Sequence, residues 1–402
     1  MAESEDLPRV LGSLVVPAAG SLAETGDPWE PYCLTGPDGG RVEPVSEFLR
    51  DLQAAGRSAT TQRSYSLALL RWFRFTWAAG VPWDQAARTE ARDFCRWIQI
   101  AGKPGGPREP AVPVPGKRPA SVKYASSTVA HCETACRSFY AFHVEAGTGP
   151  LVNPFPLARP GRANAHHNPV DPFPRQKAGL FRPRVPRRVP RQIPDQVFND
   201  LFARLPSNRD RALVAFWVSA GARASELPGV LCSGADPGQQ LVTVIRKGSR
   251  AMQQLPASPD AFVWLRLYQQ QMHGLMPAGP DDPLWWTLRR PFRPLGYHAA
   301  RAMFDRANAV AGAGWTLHDL RHTAAYRLAR DPAVPITDVQ WILGHQSLST
   351  TQIYVTPTAE DVIDDVMAHH RRRAGAPATA PREPAPGYRP EALDVLFGRQ
   401  PW

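Results

Sequence analysis

The stretch that decides the fold is Leu317-His318-Asp319-Leu320-Arg321-His322-Thr323, at the head of a helical pattern running from His318 to Arg330. His318 and Arg321 stand at i and i+3, so both face the same way from that helix. Downstream, a helix over Ile336 to Leu343 runs into Leu343-Gly344-His345, and nine residues later Tyr354 follows in Thr351-Gln352-Ile353-Tyr354-Val355. Upstream, Gly221-Ala222-Arg223-Ala224-Ser225-Glu226-Leu227 sets Arg223 and Glu226 three apart, read as neighbours on a helix face that Pro228 ends early. Between these lies a β-hairpin over Gln240 to Leu255. Leu241-Val242-Thr243-Val244-Ile245 is its first strand, Arg246-Lys247-Gly248-Ser249-Arg250 its basic turn, and a short exit to Pro256 its second. Taken singly these features are ordinary: an Arg-x-x-Glu pair is usually a surface ion pair, and a solitary turn lysine or a lone histidine usually has no chemistry. Lys247 is nevertheless the only lysine in residues 192–402.

Working outward, the pattern turns helical after Ile193, and further helices are predicted over Pro259 to Gly274, His298 to Ala311 and Ala359 to Arg371. Residues 192–371 therefore form one mainly helical domain with a small β-hairpin, and 372–402 a Pro- and Ala-rich tail in which Leu393 to Phe397 is a candidate docking peptide. Towards the N-terminus, Val45, Phe48, Leu49 and Leu52 keep helical spacing, and a second helix opens around Thr60 with Tyr65, Leu69, Trp72 and Phe73 on one face. A third runs from about Thr89 to Ile98. A fourth, from about Ser127 to Glu145, turns Val129, Cys132, Phe139 and Phe142 inward, completing a four-helix domain over 42–153. The Gly- and Pro-rich insert from Lys103 to Pro119 is expected to be a surface loop, and residues 1–41, without clear periodicity, a flexible tail.

With 402 residues, two domains plus tails is the natural organisation. Lys and Arg total 47 against 36 Asp and Glu, a net charge of +11 that favours a polyanionic partner. An arginine-rich composition also follows from a GC-rich genome, so the distribution matters more than the total. In 159–191, eight arginines and Lys177 oppose only Asp171, and seven prolines forbid helix. Residues 154–191 read as an extended basic linker whose Arg182, Arg184, Arg187 and Arg188 are candidate contacts to a nucleic-acid backbone. Five cysteines make no disulfide framework. Cys132 and Cys136 beside His131 read as helix packing rather than a metal site, and no metal or cofactor is expected. The acidic N-terminus and the shortness of apolar runs such as Ala212 to Ala222 predict a cytoplasmic protein with no membrane partner.

In this order, Arg223, Lys247, His318-x-x-Arg321, His345 and Tyr354 resemble the catalytic signature of the tyrosine recombinases, the phage-integrase family. The resemblance covers roughly 192–371, and the 42–153 segment looks like that family's SAM-like core-binding domain. It implies a site-specific recombinase of mobile-element type that cuts and rejoins duplex DNA through a 3′-phosphotyrosine. It also implies a clamp around DNA, a DNA-bound homotetramer with two protomers active at a time, and accessory or directionality proteins. In a bacterial cell such a protein would associate with the nucleoid when bound to DNA. Glu226, by resemblance, orients Arg223.

The chemistry fits these residue types. Breaking a phosphodiester without metal needs a nucleophile, a dispersed positive clamp on the phosphoryl oxygens and an acid for the leaving oxygen. Tyr354 would be the nucleophile, Arg223 and Arg321 the clamp and Lys247 the acid. His318 and His345 share the roles of proton acceptor for Tyr354 and phosphate hydrogen-bond donor, in an order the sequence leaves open. Two other readings stand at this point. A type IB topoisomerase shares the chemistry but relaxes supercoils, and a non-catalytic DNA-binding accessory protein would have no use for a nucleophile.

Overall fold

The computed structural model describes residues 10–103, 121–158, 178–185, 190–355, 359–374 and 390–398. The chain divides into two units, Met1–Arg188 and Val189–Trp402. The fold is mainly helical with a small β component.

The first unit opens on an antiparallel pair, β1 (Ser21–Glu24) and β2 (Tyr32–Thr35). Its four helices are α1 (Glu43–Ala54), α2 (Ala59–Ala79), α3 (Arg88–Ile100) and α4 (Ser126–Ala146). The two longest have punctuated ends. Ser58 accepts the amide of Thr61 at the start of α2, and Gly80 and Gly147 take left-handed conformations that close α2 and α4. Their inward faces meet in an aromatic core in which Trp72 is fully buried with Phe94, Tyr140 and Phe155 edge-on around it. Cys132 and Cys136 are buried in that core, and His131 turns away to Ser64 Oγ at 2.8 Å.

Two expectations about this unit are corrected. Residues 1–41 are not a tail throughout: Leu34 of β2 is completely buried in the helical core, and Arg74 of α2 donates to the carbonyls of Ala18, Ala19 and Gly20. Strands of four residues with no clean alternation of burial leave little periodic signal. Nor is 154–191 an extended linker from end to end. Phe155 lies in the core, Leu157 bridges Gly179, Phe181 packs on the same cluster and Arg182 Nη1 donates to Thr134 Oγ1 of α4 at 3.2 Å. The aromatic residues overrule the proline content because each buries a large apolar surface.

The second unit contains α5 (Asp195–Ala203), α6 (Asn208–Ala220), a three-stranded antiparallel sheet of β3 (Ala235–Asp236), β4 (Leu241–Ile245) and β5 (Met252–Pro256), then α7 (Pro259–Met272), α8 (Tyr297–Val310), α9 (Leu317–Arg330), α10 (Ile336–Leu343) and α11 (Leu348–Gln352). Beyond them lie α12 (Ala359–Ala374) and α13 (Pro390–Leu396). The hairpin strands pair Leu241 with Pro256 and Ile245 with Met252. Helix α6 is the centre: its side chains from Leu213 to Trp217 are buried, and it packs against α7 and α9. It stops at Gly221 (φ +61°), so Arg223 and Glu226 are not on a helix face as expected. A turn, closed by the Glu226 amide on the Arg223 carbonyl at 2.9 Å, makes them neighbours instead. No helix among the described residues is long and apolar enough to cross a membrane.

Candidate functional site

Helix α9 starts on a reciprocal cap in which Thr316 Oγ1 accepts the Asp319 amide and Asp319 Oδ2 accepts the Thr316 amide. Arg191 completes this corner, donating from Nη2 to Asp319 Oδ2 at 2.5 Å while lying over the Trp315 ring. The cap fixes the direction in which His318, Arg321 and His322 leave the first turns. Arg321 runs inward and is 2 % exposed. Burial in the first place, and then the neighbouring Arg223, lower its guanidinium to about 10. It is therefore still a cation at neutral pH.

The guanidiniums are held by main chain. Arg321 Nη1 donates to the Gly221 carbonyl at 2.7 Å, at the end of α6. At the end of α10, three successive carbonyls each accept one arginine: Ile342 from Arg246, Leu343 from Arg321 and Gly344 from Arg223. The last carbonyls of a helix have no partner within it and carry the negative end of its dipole, so they suit cations. Left-handed Gly344 (φ +58°) lets the chain turn away immediately afterwards.

A single carboxylate ties this cluster together. Glu226, 4 % exposed, accepts Arg223 Nη1 at 2.9 Å and the Lys247 amide at 3.1 Å on one oxygen; the other takes the Arg223 amide at 2.8 Å and Arg246 Nη1 at 3.0 Å. Burial would raise its pKa, but those amides and guanidiniums together hold it below the ordinary carboxylate value. Arg246, singled out in the sequence only as part of a basic turn, is itself buried and structural, reaching Gln253 Oε1 at 2.6 Å as well. Lys247, next to it, is exposed on the hairpin turn. Together with Arg223, Gln253, Trp341, His345 and Thr350 it lines an open groove of about 950 Å³.

His345 leaves the chain directly after the three carbonyls. Its Nε2 is 3.2 Å from Arg321 Nη2 and its Nδ1 3.0 Å from Thr351 Oγ1. A guanidinium can only donate, so Nε2 accepts and Nδ1 carries the proton. Burial, and then Arg321, push its pKa down to about 4, in keeping with a neutral ring.

Tyr354 is 3 % exposed, with its ring parallel to that of His345 at 6.3 Å and edge-on to Tyr326 at 5.4 Å. Burial raises its phenol to about 12 against the pull of Arg321. Its hydroxyl meets neither His318 nor His345 but His322 Nδ1, at 2.7 Å. His318 is exposed on α9, its ring 4.2 Å from that of His322. The structure thus gathers Arg223, Glu226, Arg321 and His345 into one bonded cluster, with Tyr354 stacked beside it and Lys247 and His318 at its margin. Arg182 and Arg184 are exposed in the first unit, whereas Arg187 and Arg188 lie outside the described residues. Sequence reasoning assigned no role to His322, although its place four residues after His318, on the same side of the helix, was a signal.

Residues 193–361 match the phage integrase family. Among relatives, tyrosine recombinase XerD of Pseudomonas aeruginosa is 34% identical over 168 residues, covering 41% of this chain and 55% of that protein. Tyrosine recombinase XerC of Xylella fastidiosa is 32% identical over 231 residues, 55% of this chain and 67% of that protein. The chain belongs to the tyrosine recombinases, the phage-integrase family. It spans little more than half the length of the first curated recombinases it matches. Solved integrases share the fold. The Tn1549 transposon integrase in complex with circular intermediate DNA gives a TM-score of 0.55 at 13% identity, over 80% of this chain and 98% of that one. A lambda integrase dimer bound to a COC′ core site gives 0.51 at 15%, over 77% and 96%.

Proposed function

We propose that this chain is a site-specific DNA recombinase of mobile-element type, cutting and rejoining duplex DNA through a 3′-phosphotyrosine. One observation carries the reading: adjacent carbonyls, Leu343 and Gly344, hold the guanidiniums of Arg321 and Arg223 beside a neutral His345 whose ring stacks on Tyr354. Two planar cations beside one phenol suit a phosphodiester whose non-bridging oxygens gain charge in the transition state.

In this reading Tyr354 Oη attacks the scissile phosphorus, the 5′-oxygen departs with a proton from Lys247, and the phosphotyrosyl ester keeps the bond energy. A second strand's 5′-hydroxyl then reverses the step, so rejoining needs no ATP. Glu226 orients Arg223, and the exposed Arg182 and Arg184 are offered to the DNA backbone with Arg187 and Arg188. The working form is a homotetramer on DNA, assisted by accessory or directionality proteins.

The test uses a library of nicked duplexes of randomised sequence. After cleavage beside the nick the short 5′-hydroxyl fragment diffuses away, so the protein stays linked and survives denaturing electrophoresis. The full chain is expected to form such an adduct with selected duplexes, and Tyr354→Phe to bind them without forming it. An adduct formed equally by Tyr354→Phe would remove Tyr354 from the mechanism.

A further inference from the structure

The side chains to which the recombinase reading gives a role do not include the group that touches the phenolic hydroxyl. His322 Nδ1 lies 2.7 Å from Tyr354 Oη, while the ring nitrogens of His345 bond to Arg321 and Thr351. The two histidines also differ in what they can accept. His345 Nε2 is committed to a guanidinium that can only donate, and its other nitrogen carries the proton. That leaves no free lone pair on the ring.

From this geometry we infer that His322 is the catalytic residue that takes the proton from Tyr354 as the phenol attacks. The inference rests on Tyr354 being the nucleophile. A phenol this well buried is protonated at neutral pH and is the natural donor in the pair. His322 accepts through the Nδ1 lone pair, with its own proton on Nε2. In the attack the Tyr354 O–H bond breaks and its proton passes to His322 Nδ1. The Oη–P bond forms, and the P–O5′ bond breaks with a proton delivered to the departing oxygen from Lys247. The reverse step returns the proton to Oη as the strand is rejoined.

The surroundings explain why the resting ring is a weak base. His318, Asp319 and Arg321 face it from α9, His345 from the turn after α10, and Tyr354 from beyond α11. Burial comes first, then His318, in pushing its pKa down to about 4, and Asp319 opposes them. A phosphate anion entering beside Arg321 adds negative charge close to the ring and raises its basicity when the substrate is in place. The catalytic base is then at its strongest in the DNA complex.

The test measures adduct formation by the full chain on nicked duplexes selected from the randomised library, as a function of pH. His322→Asn keeps a polar atom near Nδ1 without a basic nitrogen. It is expected to bind the duplex normally and to form adduct roughly 100-fold more slowly at neutral pH. Its rate should climb roughly tenfold per pH unit as solvent hydroxide replaces the missing base, while the wild-type rate levels off. A wild-type rate, or a loss that is the same at every pH, would overturn the assignment. So would the same pH signature in His318→Asn with His322→Asn unaffected. Nitrogen-15 spectra of the histidine rings in the unmodified chain give a reading independent of any variant: the proton is expected on Nε2 of His322, and finding it on Nδ1 overturns the proposal. Tyr354→Phe separates the levels. If it abolishes the adduct while His322→Asn leaves the rate intact, the recombinase reading stands and only the assignment of His322 fails.

Discussion

Glu226 and Arg246 form a buried ion pair, with Nη1 to Oε2 at 3.0 Å and each residue 4 % exposed. Its neighbour in sequence, Lys247, is in solvent. Of the turn's three cations, Arg246 is thus buried and builds the site, while Lys247 and Arg250 are exposed.

Arg246→Ala should leave the Glu226 carboxylate buried with part of its compensation gone. Removing one partner of a buried pair costs about 3–5 kcal/mol. The denaturant midpoint of the second unit is expected to fall accordingly, with DNA cleavage lost alongside. A variant of wild-type stability would mean that the Arg223 guanidinium and the Arg223 and Lys247 amides satisfy the carboxylate without Arg246.

Lys247→Ala should behave in the opposite way. Stability is expected to be unchanged, because the side chain is exposed. Adduct formation on an ordinary phosphodiester should fall about 10²–10⁴-fold, the usual range for losing a general acid. A substrate with sulfur in place of the 5′-bridging oxygen should recover most of that rate, since a thiolate leaves without being protonated. Failure of the sulfur substrate to recover it would remove Lys247 from that role.

Stability should decline on acidification below the ordinary histidine range. His322 and His345 both sit near 4 in the folded chain against roughly 6.5 for a free imidazole. Between those values the unfolded chain binds more protons than the folded one. The stabilisation is therefore complete above about pH 6.5 and is lost as pH falls towards 4. Denaturant melts across this window should show the decline, and His345→Gln should flatten it. Equal slopes in both chains would mean that His345 is not neutral by virtue of its surroundings.

Gly344→Ala is expected to disturb the site without touching a functional group. The backbone there is left-handed, and an added Cβ would stand 3.3 Å from Arg246 Cζ. The left-handed conformation costs an L-residue roughly 1–2 kcal/mol. The melt should shift by that amount, and adduct formation should drop more than the melt explains.

Neutralising Arg182, Arg184, Arg187 and Arg188 should flatten the dependence of log affinity on log salt by about 0.9 for each DNA phosphate that is no longer neutralised. Arg182 already donates to Thr134 within its own unit, so single substitutions should show Arg184 contributing more. An unchanged slope for the fourfold variant would mean that this segment only tethers.

The helices were legible because their apolar residues recur at helical spacing: Val45, Phe48 and Leu49 of α1 are all buried. The hairpin was legible because Leu241 to Ile245 is a short apolar run rich in β-branched residues that ends at a basic, glycine-containing turn. The pair β1–β2 was not, since its strands are four residues long and only Cys33 and Leu34 are buried. At the site, side chains that belong to short motifs could be read directly. Arg246 could not, because nothing local distinguishes a buried arginine from an exposed one in Arg246-Lys247. His322 could not be matched to Tyr354 because they are 32 residues apart and meet only once α10 and α11 fold back on α9. Nor could any sequence pattern reveal acceptors that belong to the backbone.

Because the oxygens that aim the three guanidiniums are peptide oxygens, no side-chain replacement at positions 342, 343 or 344 can delete them. What restricts those positions is instead the burial of Ile342 and Leu343 and the left-handed backbone at Gly344. A displacement of the last turn of α10 would reach both clamp arginines, Arg321 and Arg223, and the structural Arg246 at once, opposed by the Gly221 carbonyl and Glu226 that hold them from the other side.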